Sequence, residues 1–347
     1  MRVLVIGGTG FIGSYVVSKL NQTVDEVYVL HRGRTDREFP AGVKSVICDR
    51  SKQKELSRTM TEVAPDVVID MIPRTAQETW SVLQSVPQNL KRLVIISSID
   101  VYRAYNRLRK IELGEPDATP IKEDGPLREI LFPYRGNAVD ALHTSYMYEK
   151  LLVEGLTRSE MKIPSTILRL PVVFGPNDPQ SRTFVYVSRM NDKRPTLLLG
   201  KKQSNWKVTR GYVEDVADVI AACALKDDGE SHVFNVGERE PINERQWVEE
   251  LARTMNWDGE ILEIDDSQLP SHLIEDFDWN QDLTIDCSSV KEYLGSVKVT
   301  EMEEALAKTV RWQIDNSPLE KKNDPAEYGA EDKLINSVRR LANPSRA

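Results

Sequence analysis

A tyrosine and a lysine four positions apart, Tyr146 and Lys150 in Tyr-Met-Tyr-Glu-Lys, are the pair in this chain best suited to moving a proton. On a helix that spacing puts phenol and ammonium on one face, one turn apart. The ammonium stabilises a phenolate, so the tyrosine can exchange a proton with a hydroxyl or carbonyl. Packing or a solvated helix face is the competing reading. Tyr148 falls off that face and reads as packing. A second group suits phosphate: Gly7, Gly10 and Gly13 in Gly-Gly-Thr-Gly-Phe-Ile-Gly, with Thr9, Phe11 and Ile12 in the same turn. Glycines here permit a tight turn, close backbone approach to a pyrophosphate and close helix-sheet packing, while the helix N-terminus attracts the anion. Glycines also mark turns that bind nothing, but here a strand pattern precedes them and a helix pattern follows.

The second strand pattern ends in His31-Arg32-Gly33-Arg34. An acid at that point would accept hydrogen bonds from the ribose hydroxyls of NAD. Guanidinium groups instead favour a 2′-phosphate, so Arg32 and Arg34 predict NADP, with NAD as second choice. Two exposed arginines in a solvated turn are the alternative. No metal is expected, because His31, His143, His232 and His272 are scattered and no ligand spacing occurs. Cys48, Cys223 and Cys287 are far apart, which suits reduced, buried thiols.

The elements that must position these groups are legible as apolar runs at Arg2–Ile6, Glu26–Leu30, Val43–Cys48, Val67–Met71, Leu93–Ser97 and Thr166–Leu170, alternating with helical patterns. This predicts an α/β fold, a Rossmann-type doubly wound parallel sheet with ligands at the carboxyl ends of its strands. The first helix places Ile12, Val16, Val17 and Leu20 on one face. A helix near Asp215–Leu225 and a strand at His232–Val236 are expected to rejoin the sheet. The dinucleotide-binding part is thus read as 1–174 plus 208–238. A smaller C-terminal substrate lobe takes 175–207 plus 239–315, with helices near Asn243–Met255 and Glu301–Ile314. From Asn316 a polar tail, 316–347, is expected to be extended or mobile.

With 347 residues, 40% of them apolar, the chain can bury a large core. A net charge of −8 disfavours nucleic acid and anionic membrane as partners, and favours a small-molecule substrate. Met1 leads directly into an apolar strand without a cationic leader, which predicts a cytoplasmic location.

Taken together, the turn, the Tyr-x-x-x-Lys pair and their order resemble the extended short-chain dehydrogenases/reductases, and within them the NAD-dependent epimerase/dehydratase family, from Met1 to about Trp312. His31-Arg32-Gly33-Arg34-Thr35 is similar to a turn in less typical bacterial members. The resemblance implies that Ser98, in Ser97-Ser98-Ile99-Asp100-Val101-Tyr102, binds the reacting oxygen. It implies that Tyr146 takes a hydroxyl proton as hydride passes to nicotinamide, while Lys150 holds the ribose and tunes the tyrosine. It assigns Asp49, followed by Arg50, to the adenine amino group, unless Asp49 merely ends the strand. Pro171, in Arg169–Pro176, would line the nicotinamide. Arg210, in Arg210–Val216, is similar to a diphosphate-binding arginine of sugar-nucleotide epimerases, an exposed arginine at a helix start being an equal alternative.

Three departures bear on the reaction. Ser98 is followed by Ile99 and Asp100 where the dehydratases place two acids, which disfavours dehydration. The region where a second diphosphate arginine belongs, Glu275-Asp276-Phe277-Asp278-Trp279, is acidic and puts a nucleotide-diphosphate substrate in doubt. The interval from Ser98 to Tyr146 is long. It carries Arg103, Tyr105, Arg107, Arg109, Lys110, Arg128, Tyr134, Arg135 and His143, balanced by Glu112, Glu115, Asp117, Glu123 and Asp124. It reads as a lid or substrate loop ahead of a solvated surface loop. Arg210, Arg135, Tyr134 and Asp100 are the substrate-binding expectations. The function expected is an NAD(P)-dependent oxidoreductase or epimerase acting on a hydroxyl or keto group of a sugar, sugar nucleotide or similar molecule, in a possible homodimer. The alternative is a cofactor-binding, RNA-binding or regulatory protein without turnover.

Overall fold

The alternating apolar runs fold as a parallel sheet with helices on both faces. A computed structural model describes residues 1–34, 38–135, 145–160, 162–237, 240–316 and 325–342. The chain opens with β1 (Arg2–Ile6), α1 (Phe11–Leu20), β2 (Glu26–His31), β3 (Lys44–Ile47), α2 (Gln53–Val63), β4 (Val67–Asp70), α3 (Ala76–Leu83) and β5 (Arg92–Ser98). A short 3-10 turn, Ile99–Val101, leads into α4 (Arg103–Leu108), and α5 (Lys150–Glu160) and β6 (Ser165–Leu170) follow. Next come β7 (Val172–Phe174), α6 (Phe184–Asn191), β8 (Thr196–Gly200), α7 (Lys201–Asn205), β9 (Arg210–Tyr212), α8 (Val213–Leu225) and β10 (His232–Asn235). The remainder holds α9 (Glu244–Thr254), β11 (Glu260–Ile264), α10 (Ser288–Leu294), α11 (Met302–Asp315) and α12 (Pro325–Ala342).

The main sheet runs β10-β6-β5-β4-β1-β2-β3, all neighbours parallel. Strand order reverses between β1 and β4, which opens a crevice at the carboxyl ends. The two-residue strand period sorts the core. Val3 and Val5 of β1 pack with Val16, Val17 and Leu20 of α1 and Val216 and Ile220 of α8. Leu4 and Ile6 pack on the other face with Leu56 and Met60 of α2, Val82 of α3 and Val153 of α5. His232–Asn235 joins β6 at the sheet edge, as the sequence leads one to expect.

Two stretches differ from expectation. The polar segment after Asn316 is not extended where it is described. Residues 325–342 form α12, whose Ile335 packs against Leu198, Ile264 and Leu269 and whose buried Glu331 pairs with Arg189 at 2.5 Å. A buried arginine on α6 and an apolar stripe outweigh the polar composition. The long interval after Ser98 is also built in rather than free. Tyr102 bridges to Leu127, Ile121 bridges to Ile285, and the Glu112 carboxylate accepts the amides of Glu129 and Ile130. His143 and residues 136–144 around it lie outside the described residues.

Candidate active site

The glycine turn lies at the end of β1. Gly7 has φ +81°, a conformation that favours glycine, and a Cβ there would meet Ile72 at 2.8 Å. At Gly13 a Cβ would sit 2.5 Å from the Gly7 carbonyl oxygen, so only glycine lets α1 approach the strand this closely. Gly10 caps α1 with no side-chain hydrogen bond, and the first turn of the helix holds no acid. A Cβ at Gly10 would meet nothing nearer than the Gly7 oxygen, at 3.5 Å, so the outer side of the turn is open. An uncapped helix N-terminus beside open space fits a dinucleotide pyrophosphate. Thr9, Phe11 and Ile12 are partly exposed along the same rim.

At the far side of this crevice Arg32 and Arg34 are exposed beyond β2. Asp49, beyond β3, accepts from the amide and hydroxyl of Ser51 at 3.0 and 2.8 Å, and these bonds, with Arg32 nearby, hold its carboxyl below the usual range. Arg50 does not face the crevice. It is buried and pairs two-pronged with Asp70 at the end of β4, at 2.8 and 2.6 Å, and it also donates to the carbonyl of Ile72. Asp70 in turn accepts the Ile72 amide at 3.1 Å. Arg50 therefore supports, through Ile72, the floor under Gly7 rather than presenting its charge to a ligand.

Ser98 ends β5, and its Oγ accepts the Asp100 amide at 3.2 Å. Lys150 is buried at the start of α5 and donates to the carbonyls of Pro73 and Ile96, both at 2.8 Å. Burial draws its ammonium down to about 8, against the upward pull of Asp100 and Asp70. The helix begins at Lys150, so Tyr146 and Lys150 do not share a helical face; residues 145–147 form a turn. The described contacts of Tyr146 are with Arg135, whose Nε donates to the Tyr146 carbonyl at 3.0 Å and whose guanidinium carbon lies 4.7 Å from the ring centre.

Tyr148, expected to be packing, lies beside Asp100, Ser98 and Lys150 instead. Its phenol donates to Asp100 Oδ2 at 2.7 Å, its ring centre is 5.5 Å from Lys150 Nζ, and the Ser98 side chain is its hydrogen-bonding neighbour. Residues 148 and 149 belong to no helix or strand. Asp100 is buried and also accepts from Tyr134 at 3.3 Å. Burial raises its carboxyl. Burial and then Asp100 push the Tyr148 phenol well above its ordinary value, and the same two influences act on Tyr134. Pro171 is buried between β6 and β7.

A cavity of about 720 Å³ lies beside this cluster, lined among others by Tyr105, Trp206, Arg210, Glu244, Trp247 and Glu275. It includes neither the glycine turn nor Ser98, and touches the cluster through Tyr105, whose phenol donates to Tyr134 at 3.1 Å. Arg210 does face the cavity, but it is ion-paired with Glu244 and stacked 4.5 Å from the Trp247 ring. Of the acidic run at 275–278, Glu275 lines the cavity, where burial and Glu244 raise its carboxyl. Asp276 pairs with Lys110, and the Asp278 carboxylate takes the Asn280 amide.

Among the described residues no helix is long and apolar enough to cross a membrane, and no group of three His, Cys, Asp or Glu could hold a metal ion. The sequence pattern of the NAD dependent epimerase/dehydratase family matches residues 3–237. Among curated proteins, 2′-dehydrokanamycin reductase of Streptomyces kanamyceticus is 24% identical over 262 residues, covering 74% of this chain and 67% of its own length. Protein CapI of Staphylococcus aureus is 22% identical over 340 residues, covering 82% and 95%. In fold, the chain is similar to the UDP-glucose 4-epimerase of Thermotoga maritima crystallised with UDP-glucose. That match has a TM-score of 0.68 at 18% identity, over 92% of this chain and 100% of the other. The chain belongs to the NAD-dependent epimerase/dehydratase family and is an NAD-dependent epimerase/reductase of the short-chain dehydrogenase/reductase superfamily.

Proposed function

We propose that the protein oxidises or reduces a hydroxyl or keto carbon of a sugar-like substrate whose reacting carbon sits at the Ser98 end of the crevice, using Ser98, Lys150 and a phenol of the 146–148 segment, with the cavity of about 720 Å³ beside it taking the rest of the molecule. The observation that carries this reading is the convergence of Ser98, Lys150 and a tyrosine at the carboxyl ends of β5 and α5's approach to it, on the crevice side of the sheet. A nicotinamide held in the crevice would supply or accept the hydride. Ser98 hydrogen-bonds the reacting oxygen, and the phenol exchanges the proton with it. Lys150 spends two of its three donors on Pro73 and Ile96, which fixes its charge beside the phenol and leaves one donor for a ribose hydroxyl.

The cofactor preferred is NADP, held by Arg32 and Arg34 with Asp49 toward the adenine. The substrate preferred is one without a nucleotide diphosphate, because Arg210 is already paired and Glu275 adds negative charge to the cavity. The relative named 2′-dehydrokanamycin reductase supports reduction of a dehydro compound. Trp80 of α3 and Leu152 of α5, 43% and 38% exposed on two packed helices, support pairing of two copies, which sedimentation would read directly. Dissociation constants for NADP and NAD, before and after Arg32→Ala, test the cofactor. A weakening of NADP alone is expected, and equal affinities in the wild type would remove the assignment. Turnover assayed with free keto-sugars against UDP-sugars tests the substrate class.

A further inference from the structure

The charges along the cavity wall do not cancel. Three arginines line it, and each already has a carboxylate: Arg182 pairs with Asp178 at 2.9 Å, Arg189 with Glu331 at 2.5 Å, and Arg210 with Glu244. Glu244 has no oxygen to spare, because its other one takes the Tyr186 phenol at 2.8 Å. His272, also on the wall, is turned onto Glu331 at 2.9 Å. Two carboxylates of the lining, Glu275 and Glu327, have no hydrogen bond or ion pair among the described residues. Arg109, whose charge reaches Glu275, lies outside the lining and over the Tyr105 and Tyr134 rings, 5.7 and 5.5 Å from their centres. Its pull is outweighed: desolvation by the wall, and then Glu244, raise the Glu275 carboxyl. The cavity therefore holds an excess of negative charge.

The wall around Glu275 suits a cation in a second way. In Glu275-Asp276-Phe277-Asp278-Trp279 the first, third and fifth residues line the cavity, and the aspartates between them do not. Asp276 pairs with Lys110, and Asp278 takes the Asn280 side-chain amide at 2.8 Å. The Trp279 ring stands edge-on to Phe277 and to Trp206, with centres 5.2 and 5.3 Å apart. Trp206, on the same wall, is fixed by its indole N–H, which donates to the Gln281 carbonyl at 2.9 Å. An ammonium ion is attracted by aromatic faces and gives a carboxylate a charge-assisted hydrogen bond. A phosphate would meet only arginines already neutralised, and a neutral sugar would leave Glu275 without a counter-charge.

We propose that this cavity is a cation site and that the substrate carries an ammonium group, received by Glu275 against the rings of Trp206, Phe277 and Trp279. The proposal rests on the hydride-transfer reading for calling the ligand a substrate, and adds its chemical class. The ammonium end sits in the cavity, apart from the reacting carbon at Ser98. It selects the molecule and takes no part in the transfer of hydride or proton. Glu275 is thus a specificity residue.

Calorimetric titration of the full chain decides the matter, with the β-1,4-linked dimer of D-glucosamine, its N,N′-diacetyl form and UDP-glucose as probes, at a pH where the amines are protonated. The diamine should bind about tenfold more tightly than the diacetyl form, the scale of one hydrogen bond to a charged group. UDP-glucose should bind more weakly than the diamine. Raising the salt should shrink the advantage of the amine. Glu275→Gln should erase that advantage and keep the melting temperature, since its carboxylate holds nothing in the fold. Asp276→Asn removes the neighbouring charge outside the cavity and should leave the advantage intact. Equal affinities for the two dimers, tighter binding of UDP-glucose, or binding of none of the three overturns the cation site. So does an advantage that survives Glu275→Gln or disappears equally in Asp276→Asn. Hydride exchange with NADPH and NADP, followed with the same compounds and D-fructose, separates this from the hydride-transfer reading. A diamine that binds as expected while no compound exchanges hydride supports the cation site and counts against that reading alone. Hydride exchange without any preference for the amine counts against the cation site alone.

Discussion

The Arg128 guanidinium grips Glu149 through two hydrogen bonds, at 2.8 and 2.5 Å, with both side chains almost wholly buried. Glu149 also accepts the amides of Phe132 and Leu151, so the long interval, the end of β5 and the start of α5 are one unit around Asp100 and Lys150. Removing one partner of a buried pair leaves an uncompensated charge, at a cost of about 3–5 kcal/mol. Arg128→Leu should lose stability of that order in urea unfolding. Glu149→Gln, which keeps an acceptor for the two amides, should lose less.

The glycine turn separates folding from cofactor binding. Gly13→Ala drives a methyl into the Gly7 oxygen and the Gly8 Cα, at 2.5 and 3.0 Å, and overpacking of this kind costs about 1–3 kcal/mol. Gly10→Ala meets only ordinary contact, so its melting temperature should match the wild type. Its methyl nevertheless projects where a pyrophosphate would cross, and NADPH affinity by fluorescence titration should fall in both variants.

Lys150 makes stability depend on pH in a definite direction. Its folded value is drawn down to about 8 by burial, whereas the unfolded chain titrates near ~10.4. Below pH 8 both states carry the proton and the full cost of burying the ammonium is present. Between the two values the unfolded state binds more protons, so stability rises with pH. Wild type should therefore gain on Lys150→Met as unfolding is followed from pH 7 to pH 10. A gain that shrinks instead would contradict the direction.

Arg189 and Glu331 tie α12 to α6, with His272 also on the Glu331 carboxylate at 2.9 Å. Glu331→Leu leaves Arg189 buried without its partner and should cost about 3–5 kcal/mol. Because Arg189 and Glu327 both line the cavity, the same variant should also alter its ligand affinity.

How far these features could be read beforehand follows from the range of the physics involved. β1, α1 and the glycine turn are local, so period, spacing and glycine placement state them fully. Lys150 and Ser98 sit where strand and helix ends put them. Tyr146 was the natural choice under a helical period, but that period needs a helix under both residues, and α5 starts only at Lys150. The turn at 145–147 leaves Tyr148 rather than Tyr146 beside Lys150. Arg50 could not be assigned from its neighbours because its partner, Asp70, comes from another strand. The residues after Asn316 looked solvated because α12 buries its Glu331 charge against an arginine far back in the chain.

Residues 70–74 join what the sequence keeps apart. Asp70 takes Arg50, Ile72 underlies Gly7, the Pro73 carbonyl takes Lys150 and the Arg74 carbonyl takes the Glu149 amide at 2.9 Å. Lengthening this strap by one residue would shift all four contacts out of register together. An insertion here is expected to cost more than one in a surface loop. The glycine turn and the Lys150 end of the crevice thus stand on one shared support.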